Sequence, residues 1–251
     1  MKLPDENQGH SPPVPAGNTA EWQDLAQQLA HEIKNILTPV RLSAERLLRC
    51  YQNDPERLRE IFETSVNAII AGTDNLAALL DDFKTLSWPV ETSNTDAALS
   101  AVLDECVSIF GAAYPDIHFR TDAADRTLTI AIDPRHLRQI LHNLLLNAID
   151  AMNAKGTIEI NAQPVAPDGT LLAKISVTDS GGGIGDEAKD KIFAPHWTNK
   201  PAGTGLGLPI VKHIAHSYGG SVSFTSAKNA GTTFAVELPR KEQPQIPMNN
   251  E

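Results

Sequence analysis

The sequence predicts an α + α/β protein: a helical hairpin that pairs with a second copy as a dimeric four-helix bundle, followed by a two-layer α/β sandwich. Three observations predict it. A heptad of apolar residues runs from Trp22 to Cys50, a second apolar row at helical spacing runs from Leu58 to Leu86, and beyond Asp96 several short segments alternate with period two. At 251 residues the chain exceeds the usual size of one compact domain, so the change of period marks a domain boundary.

Residues 1–19 carry Pro4, Pro12, Pro13 and Pro15 among polar residues without an apolar period, and are expected to be a disordered leader. The hairpin then occupies residues 20–90. Ala26, Ile33, Val40 and Leu47 hold one heptad core position, and Trp22, Leu29, Ile36, Ser43 and Cys50 hold the other. Asn53-Asp54-Pro55 supplies a turn and a helix start, since proline suits a first helical turn. The second helix carries Leu58, Phe62, Ile69, Leu76, Leu79, Phe83 and Leu86 in one row with small Ser65 and Gly72, and is expected to end near Trp88-Pro89. One hairpin has too little surface to bury both rows, so a homodimer is expected.

A polar linker over 91–96 opens the second domain, placed at 91–240. Strands are expected over 117–120, 128–132, 157–162, 171–179, 221–225 and 232–238, with a disordered tail over 241–251. The formal charge of -10 argues against direct nucleic-acid binding. Cys50 and Cys106 share no metal-ligand spacing and cannot build a disulfide framework, which suits a reducing cytoplasm. No apolar run approaches the roughly 18 residues that cross a bilayer, so a soluble chain is expected, as the cytoplasmic part of a membrane sensor would also be.

On the first helix, His31 falls at the heptad position farthest from the apolar seam, where its ring meets solvent or a docking domain. Glu32 can orient the ring and accept its proton while the other nitrogen attacks a phosphorus. Asn35 lies one turn further on the same face, where its amide could position a water for dephosphorylation. Pro39 removes the backbone bond to the Asn35 carbonyl and predicts a kink. Any single exposed histidine on a helix is usually a solvated residue, so the weight rests on the surrounding string.

In the second domain, Asp133-Pro134 is a helix start, and the helix that follows places Asn143 and Asn147 on one face, where their amides can hold magnesium or a triphosphate. A strand ending in Val177-Thr178-Asp179 runs into Ser180-Gly181-Gly182-Gly183-Ile184-Gly185, a tight turn that lets backbone approach a ligand, with Asp179 able to accept the adenine amino proton. Gly203-Thr204-Gly205-Leu206-Gly207-Leu208 immediately precedes another helix, so free amides can receive phosphates. Between the two glycine loops, the segment from Ile192 through Phe193-Ala194-Pro195-His196-Trp197-Thr198-Asn199 suits a lid, with Lys200 in reach of the terminal phosphates.

The string His31-Glu32-Ile33-Lys34-Asn35, with Leu37-Thr38-Pro39 and the run from Arg41 to Leu47, resembles the phosphoacceptor helix of sensor histidine kinases, especially the nitrogen-regulation branch. The four later strings, in order, resemble the asparagine box, first glycine box, phenylalanine box and second glycine box of the Bergerat-type ATP-binding domain. The resemblance runs from about Trp22 to Pro239; it departs at Ile36, where the family usually has proline, and at His196-Trp197, where two aromatic residues are usual. It implies catalytic roles for His31, Glu32 and Asn35, magnesium near Asn143 and Asn147, and adenine at Asp179 and Thr232. It further implies nucleotide contacts at Gly181, Gly183, Lys200, Gly203, Thr204, Gly205, Leu206 and Gly207. The activity implied is Mg-ATP-dependent autophosphorylation of His31 and transfer to an aspartate of a response regulator's receiver domain, with phosphatase activity in reverse. The nitrogen-regulation likeness implies an enhancer-binding transcription factor as the carrier of that receiver.

Two rivals remain at this level. A clamp-type ATPase of the same nucleotide fold would not need the hairpin bearing His31, and a non-catalytic dimeric scaffold would not need every site motif. A serine/threonine protein kinase is excluded because the chain has no His-Arg-Asp or Asp-Phe-Gly segment.

Overall fold

A computed structural model describes residues 19–87, 89–92, 95–123, 127–195, 197–198 and 204–241. Trp88, His196, Lys200 and Gly203 lie outside them, as do the expected leader except Thr19 and the expected tail except Lys241. The chain divides into two compact units, Met1–Leu76 and Ala77–Glu251.

The first unit is built from helix α1, Thr19–Asn53, and from helix α2, Pro55–Ser87, up to residue 76. Asp54 makes the turn between them: its N–H donates to the Cys50 carbonyl at 2.8 Å, and its Oδ1 accepts the Arg57 N–H at 3.0 Å, satisfying one of the free amides that open α2. α1 continues through Pro39 as one helix, and the Thr38 hydroxyl donates to the Lys34 carbonyl at 2.7 Å just before it. The heptad seam faces inward, with Ile33, Ile36, Val40 and Leu47 half-buried and Cys50 buried. α2 buries Ile61, Ser65 and Gly72, whereas Phe62, expected in that row, is 55% exposed because its neighbour Ile61 takes the inward position. Leu37, Leu42, Leu48 and Ile70 are exposed as well, giving the hairpin a second apolar surface.

Gly72 sets how closely the two helices approach. A Cβ there would collide with the Val40 side chain and lie 3.7 Å from the Ile36 carbonyl. Gly72→Ala is therefore expected to lose about 1–2 kcal/mol in denaturant unfolding, overpacking outweighing the better helix propensity of alanine. Combining it with Val40→Ala should lose less than the sum of the two single changes; simple additivity would show that this contact does not limit the packing.

The second unit holds the last turns of α2 and then strand β1 (Ala97–Ala98), α3 (Leu99–Ala113), β2 (Ile117–Ala123), β3 (Thr129–Ile130), α4 (Pro134–Ala151), β4 (Gly156–Val165), β5 (Leu172–Asp179), a short α5 (Asp186–Lys189), α6 (Gly207–Ser217), β6 (Ser221–Ser226) and β7 (Thr232–Pro239). Five strands form one mixed sheet in the order β2-β4-β5-β7-β6; β2 and β4 are parallel and the other pairs antiparallel. α3, α4 and α6 pack against strands of this sheet, giving the two expected layers. β5 alternates as a strand buried on one face must, turning Ala173, Ile175, Val177 and Asp179 inward. α4 meets that face with Leu137, Ile140, Leu141, Leu144 and Leu145, all fully buried.

α4 starts where the sequence says it should. The Asp133 carboxylate accepts the Arg135 N–H at 2.8 Å and pairs with the Arg135 guanidinium at 2.8 Å, with Pro134 in the first turn. The same start truncates the strand expected over 128–132 to Thr129–Ile130, which pairs with β1 outside the main sheet. Lys241, expected in the tail, is tied down by an ion pair to Asp96 at 2.6 Å and by its N–H to the Thr129 carbonyl at 3.2 Å.

Candidate active site

The C-terminal half of α4 presents Asn143, Asn147 and Asp150 at intervals of four and three, so the three side chains share one face. That face is the floor of a cleft of about 220 Å³. Ile192, Trp197 and Thr198 border it from the segment after α5, Thr204, Gly205 and Gly207 from the start of α6, and Asp82 from the last turns of α2. Gly207 lies against the asparagine itself: a Cβ there would be 3.1 Å from Asn143 Oδ1, so any larger residue would press on the amide. The Gly207 and Leu208 N–H groups that open α6 have no carbonyl within their own helix and favour an anion.

A second cluster forms where β5 ends. Asp179 is only 4% exposed, and its Oδ1 accepts the Gly181 N–H at 2.8 Å across the tight turn. Burial pushes the Asp179 carboxyl above the ordinary carboxylate range, and the N–H groups of Gly181 and Thr232 on its oxygens pull against that rise. Thr232 is opposite Asp179 in the β5–β7 pairing; its own hydroxyl bonds the Ser226 hydroxyl at 2.9 Å. A Cβ on Gly181 would lie 2.6 Å from the Ala151 carbonyl, so this turn abuts the end of α4 and brings the second cluster to the helix that floors the cleft. Gly183, at φ +70°, could not carry a side chain without striking the Ala227 carbonyl.

The segment between the glycine loops is anchored by Phe193, whose ring meets Phe224 at 5.9 Å and Phe234 at 6.5 Å, both edge-on, with the Lys212 ammonium 5.7 Å above it. Of the residues singled out in the sequence, Asn143, Asn147, Thr204, Gly205 and Gly207 line the cleft, and Asp179, Gly181, Gly183 and Thr232 gather around the β5 turn. Leu206 is buried, at 1% exposure, and serves the core. Lys200 and Gly203 fall outside the described residues. His31 and Asn35 are exposed on α1 and Glu32 is half-buried, all in the other compact unit.

Asp82 and Asp150 are cleft residues that sequence reasoning did not assign, whereas Trp197 and Thr198 belong to the segment expected to form a lid. Asp150 was legible, being three residues beyond Asn147 on the same helical face. Asp82 was not, because its place depends on contacts with a helix more than fifty residues away.

Two family models match this arrangement: the His Kinase A (phospho-acceptor) domain over residues 21–91, and the histidine kinase-, DNA gyrase B- and HSP90-like ATPase over 132–242. The catalytic domain of histidine kinase ThkA superposes with a TM-score of 0.52 at 31% identity, covering 58% of this chain and 95% of that one. The chain belongs to the histidine kinase family. Among curated relatives it is 30% identical to the nitrogen regulation protein NtrY of Azorhizobium caulinodans over 241 residues, and 32% identical to the sensor histidine kinase ZraS of Escherichia coli over 217. Those alignments take in 91% and 86% of this chain but 31% and 45% of the relatives, so the chain spans less than half their length. ThkA in complex with the response regulator protein TrrA matches 89% of this chain and 63% of that one, with a TM-score of 0.64 and 26% identity. Among the described residues, no helix is long and apolar enough to cross a membrane.

Proposed function

We propose that the chain is the kinase portion of a sensor histidine kinase, which transfers the γ-phosphoryl group of ATP to His31 and then to an aspartate of a response regulator. The observation that carries this is the cleft, in which the Asn143 and Asn147 amides meet the amino end of α6 while the buried Asp179 turn closes on the same helix. Asp179 and Thr232 would receive the adenine, and Thr204, Gly205 and Gly207 the phosphates, joined by Lys200 and Gly203. Asn143 and Asn147 offer amide oxygens, and hard oxygen donors suit magnesium, which when bound supplies charge neutralisation at the phosphates.

In the first step one imidazole nitrogen of His31 attacks the γ-phosphorus, the bond to the β–γ bridging oxygen breaks, and ADP leaves. Glu32 takes the proton lost from the ring. The aspartate carboxylate of a receiver domain then attacks the phosphohistidine and restores the neutral imidazole. Asn35, one turn beyond His31, would orient water for hydrolysis of the phospho-receiver. The exposed apolar surface of the hairpin, with Leu37, Leu42, Leu48, Phe62 and Ile70, supports a homodimer joined as a four-helix bundle. We assign residues 20–90 to dimerisation and phosphotransfer and 91–240 to catalysis, and place both in the cytoplasm. The relative named for nitrogen regulation supports an enhancer-binding transcription factor as the response regulator.

The test is incubation of the purified chain with γ-labelled ATP and magnesium, followed by acid treatment and by addition of a receiver domain. Acid-labile label that moves to the receiver supports the proposal; tight nucleotide binding without label would favour a scaffold. Asn35→Ala is expected to slow hydrolysis of the phospho-receiver by about a hundredfold, the cost of a misplaced reactant, with autophosphorylation retained.

A further inference from the structure

The cleft holds a charge for which the transfer itself has no evident use. Asp82 lies on the last turns of α2, in the same compact unit as the cleft, and is half-buried there. Its position is fixed by the helix it faces. One turn beyond it, the Thr85 hydroxyl accepts the Gln139 amide at 3.3 Å, and Gln139, Asn143 and Asn147 follow one another at intervals of four on α4. The face of α2 that bears Asp82 and Thr85 therefore runs along the face of α4 that bears the amide pair, and Asp82 lines the cleft together with Asn143, Asn147 and Asp150. Burial, and then the charge of the adjacent Asp81, push its carboxyl up to about 6. Above that value it is an anion in the space where a triphosphate would be received.

Resting on the nucleotide-binding reading, we propose that Asp82 makes the cleft selective for the magnesium complex of ATP over the bare triphosphate, through a carboxylate set beside the Asn143–Asn147 amide pair. A bare triphosphate is highly anionic and is repelled by a fixed carboxylate in a partly dehydrated cleft. The magnesium complex carries its own counter-charge, so the repulsion is largely cancelled. Selectivity of this kind comes from a repulsive group aimed at the wrong ligand, and it costs the right one little. The consequence is that the kinase does not fill with a nucleotide it cannot use.

The test compares wild type with Asp82→Asn, of nearly equal shape, by calorimetric titration with ATP at pH 8, once in excess chelator and once in excess magnesium. Asp82→Asn is expected to tighten metal-free binding about tenfold, equivalent to 1.4 kcal/mol, while affinity for the magnesium complex changes by less than about twofold. Asp82→Ser should repeat the pattern, and raised salt should narrow the metal-free difference. Equal shifts in both conditions, or none, would overturn the selectivity while leaving nucleotide binding intact. If wild type binds ATP in neither condition, the nucleotide-binding reading fails and this inference fails with it.

Discussion

His31→Gln is expected to abolish autophosphorylation, lowering the acid-labile label to background while nucleotide affinity stays unchanged. The separation of the two effects follows from where the residues stand. His31 is exposed on α1 in the first compact unit, and the candidate nucleotide groups belong to α4, β5, α6 and β7 of the second. Glutamine keeps helix propensity and cannot form a phosphoramidate, so the hairpin should melt at the same temperature as wild type. The measurement is paired: label per subunit with γ-labelled ATP, and affinity for the nucleotide by titration. Label persisting in the variant would move the acceptor to another residue. Loss of nucleotide affinity along with the label would mean that the substitution acts beyond the phosphoacceptor.

The second large effect is expected at Asp179. If Asp179 receives adenine as proposed, losing a charge-assisted hydrogen bond to the amino group removes about 1.5–3 kcal/mol, so Asp179→Asn should weaken ATP binding about 10- to 150-fold. Stability should move the other way. Burial raises this carboxyl in the folded protein, so its contribution to folding is fully present below the unfolded value and is lost as pH rises through the folded value. The ionised group is a cost in the folded protein, and asparagine removes that charge while keeping one oxygen for the Gly181 or the Thr232 N–H. Nucleotide-free Asp179→Asn should therefore melt at or above wild type at pH 8, with the advantage shrinking toward pH 4. A variant that lost both stability and binding at pH 8 would identify Asp179 as a structural residue.

Much of the fold was legible because it depends on short-range chemistry. Asp133-Pro134 announced α4, and the alternation over 171–179 announced a strand that turns Ala173, Ile175, Val177 and Asp179 inward. The asparagine pair could be placed because helical spacing alone puts Asn143 and Asn147 on one face. What could not be read depends on contacts distant in sequence. Ala97–Ala98 is a strand only because Thr129–Ile130 lies beside it, and a two-residue pairing has no periodicity to detect. Phe62 was expected in the inner row of α2, yet the choice between Phe62 and Ile61 is a rotation of one residue that only packing decides. The place of Asp82 beside the amide pair likewise needs the three-dimensional course of α2.

The pairing of β5 with β7 carries a consequence for how errors of assembly show themselves. Asp179 is opposite Thr232, and the same ladder sets Val177 against Phe234 and Ile175 against Val236. Side chains on a strand alternate with period two, so a slip of a single residue would turn Asp179 to the opposite face and break its link to the Thr232 N–H. On the proposed adenine contact, nucleotide binding would double as a proofreading signal for strand alignment. Misaligned molecules would be silent in ATP binding, and an ATP-affinity resin would separate correctly threaded sheets from mispaired ones.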